Sequence, residues 1–239
     1  MKKILLLTGL SLSLFACKNE SQETIAQPPV VNTEEVAEKD RTPEEEIAYK
    51  IAEANGLKNW KSVTEVQFTF NVDRGDSHFE RAWKWNPQTM DVTMRSDKDT
   101  VSFNRKEVDS LSMDADKGFI NDAYWLLAPM HLVWDEGTTL TVQDTATAPM
   151  SQQKMSKITL TYNGEEGGYT PGDAYDFFYD DEYMVREWIY RRGNVSEYSM
   201  VTTWEDYKDY KGIKIAADHK APEDAVHLYF TDIAVKTEE

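Results

Sequence analysis

Beyond Val63 the apolar positions of this chain recur at every second residue. The run "VQFTFNV" sets Val66, Phe68, Phe70 and Val72 on one face against Gln67, Thr69 and Asn71 on the other. "RAWKW" repeats the pattern with Trp83 and Trp85, and "MDVTM" with Met90, Val92 and Met94. A period of two is that of a strand, because successive side chains leave a pleated backbone on opposite sides. Further alternating runs are "TVSFNR", "TLTVQD", "KITLTYN", "AYDFFYD", "MVREWIYRR", "VSEYSMVTTW", "KGIKIA" and "AVHLYFTDIAV". Turn-forming pairs separate them: Asn86-Pro87, Asn163-Gly164, Gly167-Gly168, Pro171-Gly172, Asp180-Asp181 and Gly193-Asn194. The spacing predicts about ten or eleven strands joined mostly by short turns, an antiparallel meander.

Two segments have a helical period instead. In "TPEEEIAYKIAEANGL", Thr42 is placed as N-cap, Pro43 as the first helical residue and Glu45 as the capping-box acid. Ile47, Ile51 and Ala54 form a stripe, and Asn55-Gly56 supplies the stop. The second segment, "DKGFINDAYWLLAPMHLVW", carries Phe119, Ile120, Ala123, Leu126 and Leu127 at helical spacing, with Pro129 expected to end it. Two helices cannot cover both faces of a flat sheet this large. Curving the sheet into a half-open barrel solves the problem, because the concave side then wraps the helices or an apolar ligand. The expected class is mainly β with a few helices (α+β), a large curved antiparallel sheet with both helices on its concave side. Trp188 and Tyr190 alternate against Val185 and Ile189, so that strand has two apolar faces, one of them suited to a helical cover.

The chain ahead of the first helix changes the picture from a free domain to an anchored one. Lys2 and Lys3 precede an apolar run from Ile4 to Leu14, and Phe15-Ala16 lead to Cys17. Residues 4–16 would span about 20 Å as a helix, short of a ~30 Å hydrocarbon core, so the segment reads as a signal peptide. Residues 18–42, without an aromatic residue and rich in Glu, Gln and Thr, read as a disordered tether. As a coil the tether spans roughly 25–30 Å. The expected organisation is therefore a signal peptide over 1–16, an anchored tether over 17–42 and a single domain over 43–239.

Cys17 is the only cysteine, so the rest of the chain has neither disulfides nor thiolate chemistry. The net charge is −17, and removing Lys2 and Lys3 makes the remainder more acidic still. Such a field repels phosphate backbones and excludes nucleic acid as a natural partner.

Two resemblances sharpen these readings. Leu14-Phe15-Ala16-Cys17 resembles the lipobox of bacterial lipoproteins, with Phe15 bulkier than is usual at its position. That resemblance implies diacylglycerol on the Cys17 sulfur, cleavage before Cys17 and an acylated new N-terminus, multiple chains being what a stable anchor needs. The helix ending "ANGLKNW", the internal "FINDAYWLLAPMHLVWDEGTTLTV", "YDFFYDDEYMVREWIYRRG" and "WEDYKDYKGIKI" resemble a family of bacterial envelope lipoproteins. That family is similar in turn to the outer-membrane lipoprotein carriers of the LolA/LolB type. The similarity runs from about residue 44 to 235 and implies an unclosed β-barrel with a helical lid around an apolar cavity. It implies no catalytic residue.

Seven Trp, twelve Tyr and nine Phe residues supply the candidate lining. Phe68, Phe70, Trp83, Trp85, Met94, Trp125, Phe177 and Tyr179 are the expected cavity residues, or equally an ordinary core with aromatic cross-strand pairs. The run "GDAYDFFYDDE" gathers Asp173, Asp176, Asp180, Asp181 and Glu182, oxygen ligands of the calcium type, but Asp180-Asp181 falls at a turn and Asp176 alternates outward. "DADKG" (114–118) fails as an EF-hand loop, because its Gly comes one position early and Trp125 stands where the loop needs an acid. His78, His131, His219 and His227 form no motif, and no hydrolase, nucleotide or dinucleotide signature is present.

The expected function is non-catalytic and needs no cofactor. A monomer anchored in the outer membrane through Cys17, on its periplasmic face or at the cell surface, would bind a lipid or lipoprotein acyl chain. A structural or protein-interaction lipoprotein with a filled core is the alternative. A glycan-active hydrolase with paired carboxylates is a weaker one.

Overall fold

A computed structural model of the protein describes residues 40–164 and 170–238. The leader, Cys17 and the tether up to residue 39 lie outside the described residues. Helix α1 (Pro43–Ala54) begins as its sequence dictates. The Thr42 hydroxyl accepts from the Glu45 backbone N–H, while the Glu45 carboxylate accepts from the Thr42 N–H, so two orphan donors are satisfied reciprocally. Its buried stripe is Ala48, Ile51 and Ala52, with Ile47 and Ala54 half-buried at its sides.

The helix stops at Asn55 and Gly56, and a short α2 (Leu57–Trp60) follows. Gly56 has φ +104°, and a Cβ there would lie 2.2 Å from the Gly212 carbonyl oxygen. The reason is a docking contact. Asn59 Nδ2 donates to the Gly212 carbonyl at 3.1 Å, and the Lys214 N–H donates to the Asn55 carbonyl at 3.0 Å. "ANGLKNW" and "KGIKI" thus face each other across 150 residues of sequence, and neither turn tolerates a side chain at its glycine.

Among the described residues twelve strands follow, in two antiparallel sheets. β1 (Val63–Arg74), β2 (Ser77–Asn86), β3 (Asp91–Arg95) and β4 (Thr100–Asn104) join β10 (Glu205–Tyr210), β11 (Ile213–Lys220) and β12 (His227–Thr237) in the order β10-β11-β12-β1-β2-β3-β4. The second sheet is β5 (Thr138–Thr147), β6 (Lys154–Tyr162), β7 (Ala174–Tyr179), β8 (Val185–Arg191) and β9 (Met200–Thr203), in sequence order. Trp204 alone separates β9 from β10, so the chain turns from one sheet into the other at that residue. There the Lys220 N–H donates to Thr203 Oγ1 at 3.1 Å. β4 and β5 end the two sheets without pairing to each other, and the barrel is unclosed.

Helix α3 (Met113–Trp134) is the chain between those two free edges. It packs against inner residues of both sheets, and most of its apolar side chains are buried. The expected stop at Pro129 is corrected: the helix continues to Trp134. Proline removes the N–H that would bond the Trp125 carbonyl and crowds that carbonyl. The chain absorbs the conflict at Leu127, whose φ −131° and ψ 18° leave the helical region, so the helix kinks rather than ends. Among the described residues no helix is long and apolar enough to cross a membrane.

The strand expected over "VSEYSMVTTW" narrows to Met200–Thr203, and β10 was not foreseen because its six residues are charged or half-exposed tyrosines. Asp176 is corrected too. It faces away from the concave side yet is only 4% exposed, covered by Thr159, Lys157 and Arg191, which neutralise and hydrogen-bond it. Asp180 does sit at a turn, accepting from the Glu182 and Met184 N–H groups.

Candidate ligand-binding site

α3 makes the centre of the molecule. Its first half lies on β2, where Phe119 meets Trp83 and Trp85 edge-on at centroid distances of 5.4 and 5.3 Å. One turn further on, the fully buried Asp122 accepts from Arg81 Nε at 2.6 Å, Arg81 Nη2 at 2.8 Å and Trp83 Nε1 at 2.8 Å. Burial pushes the Asp122 carboxyl above the usual carboxylate range, against the pull of Arg81. Gly118 makes room for this contact, since a Cβ there would meet Arg81 Nη1 at 2.6 Å. Arg105, which follows β4, donates from Nε to Asp116 at 2.9 Å, and both side chains are buried.

The middle of α3 meets the corner where the sheets join. Trp125 packs on Trp188 at 4.3 Å, on His219 at 5.4 Å and parallel to Trp204 at 6.5 Å. Tyr124 packs on Tyr175 at 5.1 Å, and burial raises the hydroxyl pKa values of both. At the far end, Asp135 accepts from the Tyr162 hydroxyl and pairs with His131 Nδ1 at 2.8 Å.

Of the eight expected lining residues, seven are buried and Met94 is half-buried. The structure brings Trp83 and Trp85 around Phe119, and sets Trp125 and Phe177 against Trp188 at 4.3 and 6.0 Å. Phe68 and Phe70 pack on Phe230 instead, each at 5.8 Å, and Tyr179 stacks on Tyr183. At the kink of α3 the interior is tight: a crevice bounded by Leu126, Met130, Trp204 and Asn55 is too narrow for a water molecule. Trp204 also walls an open groove of about 760 Å³, between residues 150–155, the start of β8 and the β9–β10 corner. There Arg186 pairs with Asp180 at 2.6 Å, and Glu187 accepts the N–H groups of Met150 and Ser151 at 2.6 and 2.9 Å.

Sequence reasoning missed His219, Thr202 and Trp204 as site residues. Trp204 breaks the alternation at a strand corner, and His219 and Thr202 belong to no motif. Only their strand phase could have shown them.

No family model matches the chain, and no curated protein does. Among solved structures, a LolA superfamily protein from Nitrosomonas europaea aligns over 83% of this chain and 96% of its own, with a TM-score of 0.50 and 7% identity. An outer membrane lipoprotein-sorting protein domain from Vibrio parahaemolyticus aligns over 82% and 93% (TM-score 0.45, 10% identity). A DUF1329 family protein from Desulfovibrio piger aligns over 81% and 92% (TM-score 0.46, 8% identity). The likeness to the first is one of fold alone: both share a mainly β, unclosed architecture.

Proposed function

We propose that this protein is a lipid-anchored cell-envelope protein that holds the apolar part of a lipid or lipoprotein between its concave sheet and α3, without catalysis. The observation that carries this reading is the position of α3. A kinked, largely apolar helix lies within an unclosed sheet, and it joins the two free edges. A ligand therefore gains space by displacing the helix rather than by breaking a strand ladder. The kink at Leu127 is the natural hinge, since its residue has already left the helical ladder. The LolA-type fold and the lipobox-like Leu14–Cys17 support placement in the envelope, with Cys17 as anchor and residues 17–42 as tether.

The test is native mass spectrometry of the full mature chain isolated from membranes, together with displacement of a fluorescent fatty acid. A bound acyl species and a saturable, micromolar displacement are the expected results. Finding neither would sink the reading. The tight packing of Trp125 against Trp188 and His219 favours the second reading, an interaction module with a filled core. That reading takes over if no acyl species binds and a partner protein is found cross-linked to the domain in its membrane.

A further inference from the structure

The wall behind Trp125 holds more polar atoms than it satisfies. Trp188 on β8 and Thr202 on β9 face each other across the ladder, Trp204 turns the corner, and His219 lies beside it on β11. None of the four is more than 2% exposed. The rings of Trp204 and His219 stand 4.4 Å apart, and those of Trp188 and Trp204 stand 5.6 Å apart. Among the described residues, Trp188 Nε1, Thr202 Oγ1, Trp204 Nε1 and His219 Nε2 have no hydrogen-bond partner. Four of the nine such buried atoms therefore fall on one cluster, against the rule that buried polar groups are paired. A stranded group loses its hydration and gains no bond in return. A core selected only for stability would replace these groups with phenylalanine and valine.

The chemistry of the four atoms is specific. Each indole nitrogen donates and cannot accept, while the threonine hydroxyl does both. His219 Nδ1 lies 3.3 Å from the Thr203 carbonyl oxygen and donates to it. Burial pushes the imidazole pKa down to about 3, so the ring is neutral and Nε2 presents a lone pair. A carboxylate would suit the indoles but meet the lone pair of Nε2. An ammonium would suit Nε2 and be repelled by the two indole N–H groups. A neutral group that both donates and accepts fits the set: a hydroxyl can donate to Nε2 and accept from two of the other three, and a primary amide has a site for each of the four.

We propose that Trp188, Thr202, Trp204 and His219 form the binding site for the neutral, hydrogen-bonding head of an amphipathic ligand, whose apolar body takes the place of Trp125. The proposal rests on the lid reading given above, since Trp125 must withdraw for the site to open. Trp204 is also the wall between this cluster and the open groove outside, so the head is recognised where the interior comes nearest to solvent.

The experiment compares three probes of equal chain length, 1-dodecanol, dodecyl methyl ether and dodecanoate, by displacement of a fluorescent fatty acid. It uses the full mature chain carrying Cys17→Ser, so that no acyl group of its own competes. Dodecanol is expected to bind about tenfold tighter than the ether, which accepts but cannot donate to Nε2. It should also bind tighter than dodecanoate at pH 7. His219→Phe should bring dodecanol and the ether to within about threefold of each other while leaving the ether's affinity in place. Thr202→Val should weaken dodecanol binding yet raise the ligand-free Tm by about 2–4 °C, because it removes a stranded hydroxyl without changing shape. It repeats the test if His219→Phe does not fold. Equal binding of dodecanol and ether to the unsubstituted site overturns this proposal and leaves the lid reading standing. So does a preference for dodecanoate. Failure of all three probes to bind overturns both.

Discussion

The two walls that hold α3 treat their polar groups in opposite ways. On β2, Arg81 and Trp83 donate three hydrogen bonds of 2.6 to 2.8 Å to Asp122 of α3. At the sheet corner, Trp188, Thr202, Trp204 and His219 offer polar atoms that nothing described answers. The first wall is not perfect, since Trp85 Nε1 and Arg105 Nη2 also lack partners. Its central charge, however, is matched. A buried carboxylate without its partner is costly enough that this contact fixes where the helix lies. Rings packed on rings fix less, because dispersion falls off gradually and a comparable apolar body can replace one side. The far end of α3 is tied again, through Asp135, Tyr162 and His131. The helix is thus pinned as far as Asp122, at its midpoint, and again at its far end, and it is only packed between them, which is where it kinks.

The most severe way to break this contrast is Asp122→Ala. It leaves the Arg81 guanidinium and the Trp83 N–H without their acceptor, and should lower stability by about 3–5 kcal/mol, read as a fall in the urea midpoint. A loss below about 1 kcal/mol would mean that the β2 wall is no better anchored than the corner.

The corner has its own signature in acid. A free histidine titrates near 6.5, whereas burial holds His219 near 3. The unfolded chain therefore takes up a proton that the folded chain refuses. Stability from this group is complete above pH 6.5 and declines as the pH falls toward 3. The slope is about 1.4 kcal/mol per pH unit, or roughly 2–3 kcal/mol lost by pH 4.5. His219→Phe should flatten the urea midpoint over that window relative to the unsubstituted protein. An unchanged slope would show the imidazole to be protonated in place.

A matched pair of truncations sharpens the comparison. Trp83→Phe loses a bond to a carboxylate, whereas Trp188→Phe loses ring area but no bond. The first should be the more destabilising by about 1–2 kcal/mol in chemical denaturation, and equal losses would put the two walls on a par.

The smallest expected effect lies outside both walls. Glu65 bridges Lys236 at 2.7 Å and Lys84 at 2.8 Å, which hold its carboxyl down at about 2. Its contribution is present above pH 4.5 and lost as the pH falls toward 2, and Glu65→Gln should cost under about 1 kcal/mol at pH 7. A larger cost would show that surface pairs, rather than the α3 contacts, dominate the acid response.

Much of this architecture is legible in the sequence. Strict alternation placed eleven of the twelve strands, since a half-buried strand must show its period. The Thr42–Glu45 cap and the Asn55-Gly56 stop were local chemistry and were read directly. β10 was missed because an edge strand with charged and tyrosine residues has no buried face to declare itself. Pro129 was misjudged because a proline's conflict is local, while the packing that carries a helix past it is not. Among the expected lining residues, aromatic phase could not separate Trp83 and Trp85, which meet Phe119 of α3, from Phe68 and Phe70, which pack on Phe230.

The sequence alone determined the strand period, the helix limits at α1, the acidic balance and the lipobox-like Cys17, because each depends on residues a few positions apart. Only the tertiary structure decided that the sheet divides at Trp204, that Asp122 meets Arg81, and that four unpaired polar atoms gather behind Trp125. Those depend on which strands lie side by side, and hydrophobic alternation is the same for every order in which they can be laid.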